Sequence, residues 1–172
     1  EAQKHKWLPK MVTGEVIAAI GMTEPGAGSD LKAIRTSAVR DGDEYVINGQ
    51  KTYITNGQNS DFVLLACVTG PGKGARGISM IIVEADRPGF ERGRNLDKIG
   101  QKAADTSEMF FQDVRVPVSN LVGQEGEGFA MMMRELPRER ITIACRAQAE
   151  AQRAFDVTNE YVKERKMFCQ AL

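Results

Sequence analysis

Glu44-Tyr45-Val46-Ile47-Asn48-Gly49-Gln50-Lys51-Thr52-Tyr53-Ile54 is the stretch on which the fold turns. Two β-prone runs flank Asn48-Gly49, and both of those residues tolerate the positive φ of a two-residue turn, so the segment predicts a tight hairpin. Working outward, the sequence from Glu15 to Pro117 alternates, about every ten residues, between short β-type runs and Gly/Asn/Asp/Pro punctuation. Strands are predicted over Ile17–Met22, Thr36–Arg40, Phe62–Thr69, Ile78–Glu84 and Met109–Val116. Turns are predicted at Pro71-Gly72 and Pro88-Gly89. Short strands at such spacing predict an antiparallel sandwich or barrel.

Past Gly123, Gly126 and Gly128 the apolar period changes. Phe129, Met133, Leu136, Ile143, Ala147, Ala151, Ala154 and Tyr161 form a stripe at helical spacing, which predicts one helix from Phe129 to Lys166. At 1.5 Å per residue it would be roughly 55 Å long, more than a small β domain can cover. Further helices of a bundle are therefore expected around it. The predicted class is α+β, a β-sandwich or barrel followed by a long helix of a helical bundle. Glu139 and Arg140 interrupt the stripe on or beside the face that should be buried, where an unpaired charge is costly. The same charges also fit a solvated turn with local ion pairs from Arg134 to Arg140. Pro137 lacks the amide that would bond Met133 and crowds that carbonyl, so a kink is expected one turn before the charged pair Glu139 and Arg140.

The 172 residues carry 23 Lys+Arg against 23 Asp+Glu, which argues against a nucleic acid as the main partner. Hydrophobic residues make up 42%, the mix of a folded globular chain. The single histidine, His5, leaves no Ser-His-Asp triad and no multi-histidine metal site. Cys67, Cys145 and Cys169 have no metal-binding spacing and read as reduced, mostly buried thiols. No apolar run approaches the ~20 residues of a membrane span. The chain starts without Met and stops within a helical pattern, so both ends read as cut.

Two segments carry the ingredients of a ligand site. Met22-Thr23-Glu24-Pro25-Gly26-Ala27-Gly28-Ser29-Asp30 follows a strand and offers glycines, hydroxyls and backbone amides that can cradle an anion. It matches neither a Walker loop nor a GxGxxG turn, and a surface loop with an Asx turn remains the alternative. Lys51-Thr52-Tyr53-Ile54-Thr55-Asn56-Gly57 sets an aromatic and a hydroxyl two apart on one strand face. That suits a ring-stacking wall, and equally cross-strand packing.

With these segments in this order, the chain resembles the acyl-CoA dehydrogenase family. "MTEPGAGSD" and "GQKTYITNG" are similar to its first two signatures, and "IGQKAADTSEMFFQDVRVP" to the close of its middle β domain. "VGQEGEGF" resembles the entry to its long helix and "ERKMF" the start of an Arg-Lys-x-Phe-Gly signature. "MRELPRERITIA" is closest to the long-chain and isovaleryl branches. The resemblance implies FAD as cofactor and α,β-desaturation of a fatty acyl-CoA, with electrons passed to an electron-transfer flavoprotein. It implies that Ile20, Met22, Thr23, Gly28 and Ser29 line the flavin, Ser29 also reaching the substrate. Tyr53, Ile54 and Thr55 would form the wall behind the ring, and Arg165, Lys166 and Met167 would reach the FAD of a neighbouring subunit in a tetramer. Glu139 would be the general base, with Pro137, Arg138 and Arg140 at the acyl-CoA site.

By the same resemblance, residues 1–16 end an N-terminal helical domain, 17–118 form the middle β domain, and 119–172 begin the C-terminal helical domain. The compartment would be the bacterial cytoplasm or the mitochondrial matrix. An acyl-CoA oxidase and a silent flavin- or CoA-binding module are the alternatives. Two departures stand out. Tyr53 replaces the Trp of many members, and Cys169 replaces the signature Gly.

Overall fold

The computed structural model describes residues 1–70 and 74–171. They form two compact units, Glu1–Met131 and Met132–Leu172. The predicted Pro71-Gly72 turn lies outside the described residues.

The first unit opens with helix α1 (Ala2–Thr13), which ends on Gly14 at φ 77. It seats on the sheet through Trp7, whose ring lies 4.5 Å from that of Phe62. Strands β1 (Ala18–Gly21), β2 (Ser37–Asp41), β3 (Glu44–Thr55), β4 (Phe62–Val68) and β5 (Ile78–Glu84) follow. After them come β6 (Phe90–Asn95), β7 (Thr106–Pro117) and the short β8 (Leu121–Val122). The hydrogen-bonded order is β6-β7-β3-β2-β4-β5-β8, with β1 also on β4. Only the Ser37–Val68 pairing links β2 to β4. There the path folds over, so Tyr45, Ile47, Val114 and Val116 share one core with Val63, Leu65, Ile81 and Val83. Each such fully buried side chain contributes about 1.5–3 kcal/mol. The sheet stays open and sandwich-like, as expected of the class. Two pairings depart from an all-antiparallel pattern: β1 runs parallel to β4, from Ala18 opposite Phe62 to Gly21 opposite Leu65, and the Ser37–Val68 pairing of β2 with β4 is parallel as well.

Asn48-Gly49 is not a hairpin turn. Strand β3 runs through it, and the hairpin sits seven residues earlier, where Asp41 pairs with Glu44 and Gly42 supplies φ 61. Two contacts explain the difference. The Asn48 side chain donates 3.0 Å to the Asp113 carboxylate and accepts 2.9 Å from the Asp113 amide. These bonds stabilise a bulge in β7, where Asp113 takes φ 50. Gly49, at φ 149, lies so close to β2 that a Cβ would come within 2.7 Å of the Thr36 Cα. The pair thus works as a bulge and a close crossing. Strand β6 has no counterpart among the predicted strands, because Phe-Glu-Arg-Gly-Arg-Asn shows only one buried apolar residue, Phe90.

The second unit holds most of helix α2 (Gly128–Glu164), which runs unbroken through Pro137. The hairpin β9 (Lys166–Met167) and β10 (Gln170–Ala171) follows it. Stripe residues Met133, Ile143 and Tyr161 are exposed. Of the three thiols only Cys67 is buried. Cys145 and Cys169 are exposed, against the expectation of mostly buried thiols, because nearly every side chain of their unit faces solvent.

Candidate functional site

The loop after β1 is held from beneath by charge. Lys51, inward on β3, has a fully buried side chain and donates 2.8 Å to Glu24 Oε1 and 3.0 Å to the Met22 carbonyl. Glu24, 7% exposed, also accepts from the amides of Arg35 at 2.7 Å and Thr36 at 3.0 Å. The Thr52 amide donates 2.9 Å to the Thr23 carbonyl. Glu24 and Ala27 exchange two backbone bonds, closing the Glu-Pro-Gly-Ala turn. Burial alone would raise the Glu24 carboxyl, but the bonds from Lys51, Thr36 and Arg35 outweigh it and hold the carboxyl below its ordinary value of 4.5. Burial pushes Lys51 down in turn, opposed by Glu24.

A carboxyl with a depressed folded value gives stability that is fully present above its unfolded value and is lost as pH falls through the folded one. The midpoint of urea unfolding is therefore expected to drop below pH 4.5, and less steeply in Glu24→Gln than in the parent. Equal acid sensitivity in the two proteins would remove Glu24 from the account.

On this support the structure presents a wall. Ile20 is exposed between buried Ala19 and Gly21, while Met22 and Thr23 are half-buried. Beside them β3 bulges between Lys51 and Ile54, and Tyr53 takes φ 59 and is 68% exposed. A non-glycine residue in that region costs about 1–3 kcal/mol and persists only where its surroundings impose it. Here Ile54 and Thr52, both buried, clamp it on either side. Thr55 is exposed like Tyr53. The Ile54 side chain lies in the core, so only its backbone can meet a ligand on this wall.

The glycine turn adds a second observation. Neither Gly26 nor Gly28 has a positive φ, and a Cβ on either would meet nothing within 4 Å. Neither the backbone conformation nor packing within the chain demands glycine there, so the room they leave is open to something else. Ser29 is exposed, and Asp30 accepts 3.2 Å from the Lys32 amide in the Asx manner. A cleft of about 570 Å³ is lined by Pro25 and Gly26 of this loop together with Arg35, Gln50 and Phe110, and by none of Ile20, Met22, Thr23, Gly28, Ser29 or Tyr53 to Thr55.

The remaining expected residues belong to the second unit. Pro137, Arg138, Glu139 and Arg140 are exposed on α2, and Arg138 pairs with Glu135 at 3.5 Å. Arg165, Lys166 and Met167 are exposed at the β9–β10 hairpin, whose turn places Phe168 at φ 53 and Cys169 at φ 68. Cys169 thus occupies, as a strained residue, a conformation that suits the glycine of the signature. The structure brings Thr23 together with the Tyr53–Thr55 strand in the first unit, and groups the α2 and hairpin residues in the second.

Sequence reasoning missed Glu24 and Lys51 as partners. The signal was present: Lys51 has the inward parity of Tyr45 and Ile47, and a buried ammonium requires an anion.

Fold and site together define a sandwich-like β unit with an exposed, backbone-strained surface at Tyr53, continued by a long helix. Residues 19–114 match the model for "Acyl-CoA dehydrogenase, middle domain" and residues 126–172 that for "Acyl-CoA dehydrogenase, C-terminal domain". The chain belongs to the acyl-CoA dehydrogenase family. It is 49% identical over 170 residues to the mitochondrial long-chain specific acyl-CoA dehydrogenase of Sus scrofa, covering 98% of this chain and 40% of that protein. It is 45% identical over 172 residues to the short-chain specific acyl-CoA dehydrogenase of Clostridium acetobutylicum, covering 100% of this chain and 45% of that one. The crystal structure of an acyl-CoA dehydrogenase from Geobacillus kaustophilus superposes with a TM-score of 0.96 at 55% identity, covering 99% of this chain and 46% of that chain. The chain thus spans less than half the length of these relatives.

Proposed function

We propose that this chain is the flavin-binding β domain and leading C-terminal helix of an FAD-dependent enzyme that desaturates fatty acyl-CoA thioesters between C2 and C3. In that reading residues 1–16 close a preceding helical domain, 17–118 form the flavin-binding domain, and 119–172 open the C-terminal helical domain. The observation that carries it is the wall: an exposed Tyr53 held at φ 59 beside Thr55 and the Thr23 loop, next to glycines that nothing in the chain requires. These residues fit an isoalloxazine ring, with Tyr53 and the Ile54 backbone behind it, Ile20, Met22 and Thr23 along its edge, and Gly28 and Ser29 toward the pyrophosphate.

Polarisation of the thioester carbonyl makes the C2 proton acidic, and a carboxylate in a dry cleft can remove it. Glu139 is that base, with Pro137, Arg138 and Arg140 shaping and orienting the acyl-CoA beside it. FAD, when bound, supplies the hydride acceptor for C3 at its N5. Arg165, Lys166 and Met167 hold the flavin of a neighbouring subunit in a homotetramer. The electron acceptor is an electron-transfer flavoprotein, in the mitochondrial matrix of a eukaryote or the cytoplasm of a bacterium.

The holoenzyme should be yellow, and anaerobic addition of a fatty acyl-CoA should bleach its oxidised-flavin band with formation of the enoyl-CoA. Electron-transfer flavoprotein should restore the band faster than air does. A colourless holoprotein, or a band that no acyl-CoA bleaches, overturns the reading. Faster recovery in air would turn it to an oxidase.

A further inference from the structure

A buried ion pair is a poor way to stabilise a sheet. Well-packed apolar residues of the same volume do as well or better, because both charges lose their water. What the Lys51–Glu24 pair supplies that a methionine could not is direction. Glu24 is itself fixed by the amides of Arg35 and Thr36, and it holds the Lys51 ammonium at 2.8 Å. Lys51 then donates 3.0 Å to the Met22 carbonyl, while the neighbouring Thr52 amide takes the Thr23 carbonyl at 2.9 Å.

All the peptide bonds described are trans, so the C=O and N–H of one peptide point in opposite directions. Drawing the Met22 carbonyl toward the core therefore turns the Thr23 N–H away from it, as the exposed side chains of Ile20, Tyr53 and Thr55 are turned. Gly21 tightens the arrangement. A Cβ there would come within 3.1 Å of Leu65 and Val63 and 3.4 Å of the Lys51 stem, so the strand lies directly on the lysine that grips the next residue's carbonyl.

We propose that Lys51, aligned by Glu24, is a positioning residue that fixes the Thr23 amide and hydroxyl against the edge of the flavin, setting the affinity and electronic environment of a cofactor it never touches. The inference rests on the flavin reading above. It adds to that reading a residue pair on the core side of the wall.

The test uses the holoenzyme as parent, Lys51→Met and Glu24→Gln, each examined for fold by circular dichroism. FAD dissociation constant, position of the visible flavin band and reduction potential are then measured on folded, fully loaded protein. Lys51→Met should weaken FAD binding by about tenfold or more, as expected when a contact group loses its alignment, and should shift both band and potential. Glu24→Gln leaves Lys51 able to reach the Met22 carbonyl and should move the same readouts in the same direction by less. A purely structural pair would lower the melting temperature and leave the flavin of the loaded enzyme unchanged. A folded Lys51→Met that binds FAD within twofold of the parent with an unmoved band overturns the positioning role and leaves the flavin reading intact. If Lys51→Met does not fold, an unmoved flavin in Glu24→Gln is the overturning result. A parent enzyme without FAD overturns both.

Discussion

Glu139→Gln in the holoenzyme is expected to keep its FAD and lose about 10²- to 10⁴-fold in kcat, the range that a positioned general base contributes. The substitution is isosteric and removes only the ability to take a proton. Its surroundings in the chain make it a clean probe. Glu139 is exposed on α2, and the nearby Arg138 is paired with Glu135 at 3.5 Å, so the local ion pair survives the change. Turnover equal to that of the parent, with flavin bound, would move the base elsewhere. A fall accompanied by loss of flavin would mean that Glu139 serves the cofactor rather than the substrate.

The second large effect is on stability. Gly49→Ala is expected to cost about 3 kcal/mol or more, while Gly42→Ala costs about 1 kcal/mol. At Gly49 a Cβ meets the Thr36 Oγ1 at 2.5 Å and the Thr36 Cα at 2.7 Å, and φ is 149. The obstacle includes backbone, so it cannot be relieved by a rotamer change, and overpacking of about 1–3 kcal/mol adds to the conformational penalty. At Gly42 φ is 61 and nothing lies within 4 Å, so only the backbone term remains. Urea midpoints of the two variants, compared at equal m, measure the difference. Equal destabilisation would mean that the β2–β3 crossing is looser than described.

That pair also marks the limit of what local sequence conveys. Asn48-Gly49 and Asp41-Gly42 offer the same turn chemistry seven residues apart, and each precedes a β-prone run. What separates them is tertiary: Thr36 lies on Gly49, and Asp113 lies on Asn48. Strands with dense branched or aromatic content, such as Phe62–Val68 and Ile78–Glu84, were legible almost to the residue because both faces are buried. Strand β6 was not, since Glu91, Arg92 and Arg94 give it the composition of a loop while its backbone is claimed by β7. In the candidate site, Thr23 and Tyr53 could be proposed because they stand in segments that resemble the family's signatures. The strain at Tyr53 could not, because it follows from a bulge of β3 against β7, nor could the grip of Lys51 on Met22, because it joins groups 27 or more residues apart.

The parallel seating of β1 on β4 bears on the order in which the molecule assembles. Hairpins β2–β3 and β4–β5 close short loops, whereas Ala18 must find Phe62 across 44 intervening steps (62 − 18), after the partner strand exists. Chain closure over that separation costs entropy before any contact returns it, and such pairings form slowly. By the same measure β7, which pairs with β3 from Thr55 opposite Thr106 to Glu44 opposite Pro117, docks later still, while the four-residue β1, with Ile20 exposed, lies toward the low end of local opening free energies. Amide exchange should accordingly be faster at Ile20 and Thr23 than along β4 and β5. The newly made polypeptide would then set its hairpins before either long-range seam, β1 on β4 or β7 on β3, joins them, and the interior that Ala19 shares with Met109 and Val114 would close only when both seams are made.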